Sequence, residues 1–125
     1  KILNLFVKRK IIGLKKKHES LIKNKKITTN YFSSHSFNFY HYLCKLKSNF
    51  NYLEIGSYEG NSAMFVANNF KKSNIYCDDT WVKTNEYTNH ISFSHIEDNF
   101  DFNTKEYKNI YKSKNTSDSF FIKIK

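Results

Sequence analysis

The sequence predicts an α/β domain: a partial, doubly wound parallel sheet of about three strands, carried behind a basic N-terminal helical extension. Three observations lead there. The stretch NYLEIGSYEG at 51–60 runs from a short apolar segment, Tyr52-Leu53, into an acid and a glycine turn. A second strand pattern, Ile75-Tyr76-Cys77, ends in Asp78-Asp79. Helical apolar spacing lies between and after them, and alternating strand and helix gives parallel strands joined by crossovers.

Each element has its own signal. Val7, Ile11, Leu14, Leu21 and Ile22 recur at helical spacing with His18 on the same face, which predicts a basic helix over 4–25. Ser36 is the expected N-cap of a helix over 37–47 that turns Phe37, Tyr40, Cys44 and either Leu43 or the Lys47 stem inward. The first strand covers 51–56. A helix over 60–70 presents Ala63, Met64, Val66, Ala67 and Phe70 on one face. The polar break at 71–74 leads to the second strand at 74–78, and an irregular loop over 79–89 follows. Ile91, Phe93, Ile96 and Phe100 mark a helix over 91–100, and Ile110 and Tyr111 a third strand near 108–112. Ser117 or Asp118 starts the last helix.

The chain divides at about residue 27. Residues 1–26 hold ten Lys or Arg and one acid, Glu19, for a net +9, whereas 27–125 hold eleven lysines and ten acids, for a net +1. The domain proper, 28–125, is therefore nearly neutral, and nucleic acid is not an expected partner of it. Lysine, Asn, Ile, Phe and Tyr also share adenine- and thymine-rich codons, a bland source of the same charge. For the leader, 1–27, three readings stand: a helix docked on the domain with its lysines in water, a weak peripheral contact with an anionic membrane or acidic partner, and a phosphate contact. It is neither a span nor a signal peptide, because its apolar run Ile2–Val7 contains Asn4 and stops at Lys8.

Cys44 and Cys77 lie 33 residues apart without a C-x-x-C pair. Structural thiols in a reducing cytoplasm are the expectation, and no metal site is expected. The histidines His18, His35, His41, His90 and His95 are scattered, and solvated histidines explain most of them.

The turn carries the chemistry. Glycine lets the backbone approach a ligand closely, and the following helix offers unpaired N–H groups. A dinucleotide turn reads G-x-G-x-x-G, with its acid at the end of the second strand. Here Glu54 precedes Gly56 by two residues and the spacing is E-x-G-x-x-x-G. Asp79 follows Gly60 by 19 residues, where a second-strand acid accepts hydrogen bonds from a ribose diol. The competing reading is a strand-turn-helix with no ligand.

These residues resemble the first motif of class I S-adenosylmethionine-dependent methyltransferases, with Tyr58 where the middle glycine usually sits. YLEIGSYEGNSAMF, IYCDDTW, IEDNFDFNTKEY and IYKSKNTSDSFF together resemble the small-molecule subgroup related to macrocin O-methyltransferases, with its E-I-G-S-x-E-G-x-S turn, acidic second-strand tip and later F-x-x-N element. The resemblance covers about residues 28–121, including YFSSHSFNFYHYL, similar to the aromatic helix before the first strand. Asp78 departs from the pattern, so which aspartate holds the ribose stays open.

The resemblance implies S-adenosylmethionine as cofactor and a small molecule or sugar as methyl acceptor. It places Glu54 near the turn, the methionine portion along Gly56, Ser57, Tyr58, Gly60 and Ser62, the ribose at Asp79 with Thr80 beside it, and the adenine near Ser117. Trp81 either caps the crevice or packs under the sheet edge. No residue stands out as a catalytic base. A complete sheet of this family is longer, so the chain reads as the front part of such an enzyme. A non-catalytic nucleotide-binding or decayed fragment is the alternative, and a dinucleotide-dependent enzyme a weaker third.

Overall fold

The computed structural model describes residues 2–82 and 95–123. The order of elements is α1 (Ile2–Ile22), a 3₁₀ turn (Ser33–His35), α2 (Ser36–Leu43), β1 (Asn51–Ile55), α3 (Asn61–Asn69), β2 (Asn74–Asp79), α4 (Ile96–Thr104), β3 (Ile110–Lys114) and α5 (Ser117–Lys123). The three strands form one parallel sheet in the order β1-β2-β3. The chain is thus an α/β fold.

Register fixes which side chains share a face. Tyr52 lies beside Ile75 and Ile75 beside Ile110, while Glu54, Cys77 and Lys112 form the next row. Side chains alternate along a strand, so Leu53, Ile55, Tyr76, Asp78 and Tyr111 belong to the opposite face. The first face carries the core. Ala63, Phe65, Val66 and Ala67 of α3 join Ile75, Cys77, Ile96, Phe100, Trp81 and Phe32 in one buried cluster, with Tyr52 and Ile110 packed against it. The second face is thinly covered: Leu53, Ile55 and Tyr111 remain 36%, 46% and 46% exposed.

α3 is apolar nearly all round because it is enclosed nearly all round. Five consecutive residues, Ala63–Ala67, are buried. The sheet lies on one side, α4 on another, and Phe32, Phe39 and Tyr40 from the preceding segment complete the enclosure. α1 docks through its second half. His18 is buried, and Ile11, Leu14, Leu21 and Ile22 are half-buried. The ring of His18 meets Phe32 and Phe65 edge-on at 5.2 and 5.3 Å.

Several expectations are corrected. The helix expected over 37–47 ends at Leu43, so Cys44 falls at its C-cap, exposed, with its thiol donating to His41 O (3.4 Å), and does not line an apolar face. Lys47 lies beyond the helix and is exposed. Ser36 is not an N-cap. The preceding 3₁₀ turn already supplies helical geometry, and the Ser36 hydroxyl donates back to Ser33 O (2.8 Å). The helix expected over 91–100 is seen at Ile96–Thr104, and β3 begins at Ile110, not 108. His90, Ile91, Phe93 and most of the 79–89 loop lie outside the described residues.

Candidate functional site

The site is built where β1 ends. Gly56 takes φ +78° and donates its N–H to Asp78 O (2.8 Å), which closes the turn against β2. A side chain at Gly56 would meet nothing within 4 Å, so its glycine is required by conformation and leaves the backbone open on that side. Gly60 also has positive φ, +77°, but it faces inward: a Cβ there would lie 2.9 Å from Thr104 Cγ2 and 3.1 Å from Phe100 Cδ2. The two glycines therefore do different work. Gly56 opens a surface, and Gly60 lets the start of α3 press against α4.

Between them Tyr58 holds a left-handed backbone, φ +49°, at the position where the resemblance places a glycine. Its N–H donates to Asp79 Oδ2 (2.9 Å), and its carbonyl accepts from Trp81 Nε1 (2.9 Å). The other oxygen of Asp79, Oδ1, accepts from Trp81 N (2.8 Å), and Trp81 too has positive φ, +46°. One carboxylate thus anchors two strained residues from two loops. Trp81 is buried with its ring 4.9 Å from that of Phe100, so it packs in the core and does not cap a crevice. Lys112 Nζ lies 4.8 Å from the Trp81 ring centre and is held by Asp101 Oδ1 (2.8 Å) and Glu97 Oε1 (2.8 Å).

Glu54 sits beneath the turn. Ser62 Oγ donates to its Oε1, while Oε2 is buried without a partner. Burial pushes its carboxyl up to about 7, with the Asp79 carboxylate adding to the rise and the Ser62 hydroxyl opposing it. Burial, reinforced by Glu54, also pushes the Cys77 thiol up to about 12, which makes it an inert core group.

A cavity of about 430 Å³ opens beside the turn. Gly56, Ser57, Tyr58, Asn61 and Ser62 line one wall, and Thr29, Tyr31, Phe32, His35 and Phe39 the other. Gly60, the N-cap of α3, brings no side-chain cap to that helix, so the first N–H groups of α3 have no capping side chain.

The ten residues singled out from the sequence divide accordingly. Gly56, Ser57, Tyr58 and Ser62 line the cavity, and Glu54 touches it through Ser62. Gly60, Asp79 and Trp81 build the turn from behind, and Thr80 Oγ1 accepts from Val82 N (3.3 Å). Ser117 begins α5 as an exposed residue and is not among the cavity residues.

Sequence reasoning missed Glu59, Asn61 and Asn99. Glu59 is buried and accepts from Thr28 N (2.7 Å) and Asn99 Nδ2 (2.8 Å). Asn61 Oδ1 accepts from His18 Nε2 (2.6 Å), and Asn61 Nδ2 donates to Asn30 Oδ1 (3.2 Å). The His18–Asn61 bond and that from Lys26 N to Asn103 Oδ1 (2.7 Å) cross the expected boundary at residue 27 and stitch the leader to the start of α3 and to α4. Among the described residues no cluster of three or more His, Cys, Asp or Glu could hold a metal ion.

No protein-family model, curated protein or solved structure matches the chain.

Proposed function

We propose that the turn after β1 binds S-adenosylmethionine and that the domain is the first part of a class I methyltransferase acting on a small molecule or sugar. The observation that carries this reading is the placement of Glu54. A buried carboxylate with a free Oε2 lies directly under a glycine turn whose open side faces a cavity. A buried acceptor without a partner is costly in a ligand-free fold and finds one in a cationic ligand. The strand order adds support, since three adjacent parallel strands β1-β2-β3 are compatible with part of a doubly wound sheet, a fold that binds ligands beyond the carboxyl ends of its strands.

The residues present fit this cofactor. Gly56 and Ser57 would pass along its methionine portion, the uncapped start of α3 would face its carboxylate, and Glu54 with Ser62 would face its ammonium group. Asp79 reaches a ribose only with the lone pairs left after binding Tyr58 N and Trp81 N. When bound, the cofactor supplies an electrophilic methyl group on a sulfonium. The chain's part is orientation and exclusion of water, and the aromatic wall of Tyr31, Phe32 and Phe39 serves the second.

Calorimetric titration with S-adenosylmethionine and its demethylated product, in a protein that extends the sheet beyond β3, is the test. Binding in the micromolar range, about −8 kcal/mol, is expected. Heat from NAD and none from S-adenosylmethionine would overturn the reading.

A further inference from the structure

We propose that the outward side of α1 seats the protein on an anionic lipid surface. α1 has two unlike sides. Its inner side, with His18, Leu14 and Ile11, is spent on docking. On its outer side Leu5, Phe6 and Ile12 stay 52%, 65% and 52% exposed.

Helical geometry places cations among these apolar residues. At about 100° per residue, Leu5 and Ile12 fall on one line, and Arg9 and Lys16 lie roughly 40° to its side, between that line and Phe6. Lys8 and Lys15 form one rim of this strip and Lys10 and Lys17 the other, and all are exposed. The helix's one acid, Glu19, is taken by Lys15 (3.8 Å), and Lys10 lies over the Tyr40 ring at 5.2 Å. Lys8, Arg9, Lys16 and Lys17 have no acidic partner among the described residues.

This is the composition of a helix that lies in a headgroup layer: apolar side chains reach the acyl boundary while lysines bind anionic headgroups. Phosphates of a nucleic acid would satisfy the cations yet leave Leu5, Phe6 and Ile12 in water. A bilayer interface covers both. The helix lies on the surface and does not cross it, since no described helix is long and apolar enough to span a membrane. The His18–Asn61 bond (2.6 Å) keeps the rest of the chain attached to the seated helix.

The test is co-sedimentation of the full chain with vesicles of phosphatidylcholine alone or mixed with phosphatidylserine. Binding to the mixed vesicles only, falling steeply with added salt, is expected. The variant L5S/F6S/I12S keeps every charge and should lose roughly tenfold or more in partitioning. The variant K8Q/R9Q/K16Q should lose roughly 100-fold. All six positions are exposed, and circular dichroism checks that each variant stays folded. Undiminished partitioning of the serine variant overturns the proposal, as does equal binding to neutral vesicles. Retention on RNA that is indifferent to the serine substitutions, with no vesicle binding, assigns the cations to nucleic acid instead.

Discussion

The buried side-chain amide of Asn103 donates to the main-chain oxygen of Glu59 (2.9 Å) and to that of Lys26 (3.0 Å), while its own oxygen accepts from Lys26 N (2.7 Å). One side chain on α4 thereby holds the turn and the end of the leader in register. Hydrogen bonds of this kind are worth little net while made, but each group left unpaired in the interior costs its full desolvation.

Asn103→Leu is close in volume and removes the three bonds at once. It should destabilise the fold by about 2–4 kcal/mol, read as a fall in the urea midpoint at unchanged slope. A variant as stable as the wild type would show that water replaces the amide and that the leader is held by α1 packing alone.

The two glycines of the turn should separate stability from binding. Gly60→Ala adds a Cβ 2.9 Å from Thr104 Cγ2 in a positive-φ position and should cost about 3 kcal/mol or more. Gly56→Ala meets no atom within 4 Å and bears only the backbone penalty, about 1–2 kcal/mol. Thermal melts give that order. In titrations with S-adenosylmethionine the order should reverse, because Gly56 faces the cavity and Gly60 does not. Equal loss of binding in both variants, each shown folded, would mean that the cavity wall is not the binding surface.

Adjacent aspartates on β2 should behave oppositely. Asp79 accepts two backbone N–H groups, so Asp79→Ala frees both strained loops and should lose about 2–4 kcal/mol of stability before any ligand is considered. Asp78 is buried on the other face with neither carboxylate oxygen partnered. Asp78→Val suits a strand and removes that uncompensated group, so it should raise stability by about 1 kcal/mol or more. Chemical denaturation of the pair checks the sign. Destabilisation by Asp78→Val would reveal a partner for that carboxylate in solution.

The strands, the turn and α3 were legible because their signals are local. Alternation, a glycine pair and a run of apolar residues each report on their own neighbourhood. The covered face of β2 and the docking of His18 follow from the same patterns. Glu59, Asn99 and Asn61 were illegible for the converse reason. Each partner is far away in sequence, 31 to 43 residues off, and a single polar residue carries no periodicity. Asn103 was visible only as one polar residue within Phe100-Asp101-Phe102-Asn103, with nothing to mark its three bonds. Cys44 was misplaced because nothing in the sequence fixes where α2 stops: its end is set by the backbone turns of Lys45 and Leu46, which bond back to Tyr42 O and Leu43 O. The roles of Asp78 and Asp79 were unresolved because a one-residue step on a strand reverses the face, and only the pairing with Ile55 and Ser113 fixes it.

His18 gives one limb of the pH dependence. Burial lowers its pKa below the usual 6.5, against the opposing pull of the Asn61 bond and the Glu19 charge. A depressed folded pKa means that the unfolded chain binds the proton more readily. Its stabilising contribution is therefore complete above 6.5 and is lost as pH falls through the folded value. Hydrogen exchange should show α1 opening on acidification, and His18→Phe, which keeps the contacts with Phe32 and Phe65, should remove that acid sensitivity.

Glu54 gives the other limb, with the opposite sign. Its carboxyl is raised from 4.5 to about 7, chiefly by burial, so here the folded state binds the proton more readily. The associated stability is full below 4.5 and declines as pH rises toward and through about 7, by up to roughly 3 kcal/mol. Glu54→Gln is neutral throughout and should flatten this decline in urea denaturation followed from pH 5 to pH 8, while keeping an acceptor for the Ser62 hydroxyl. The same substitution separates fold from function. A cationic ligand placed against Oε2 favours the ionised carboxylate, so wild-type affinity for S-adenosylmethionine should rise as pH passes about 7. Glu54→Gln should bind about tenfold or more weakly with no such rise, as for a lost hydrogen bond to a charged group. A variant that flattens the stability profile yet binds as the wild type does would leave Glu54 a purely structural acid and move the cationic end of the ligand elsewhere in the cavity.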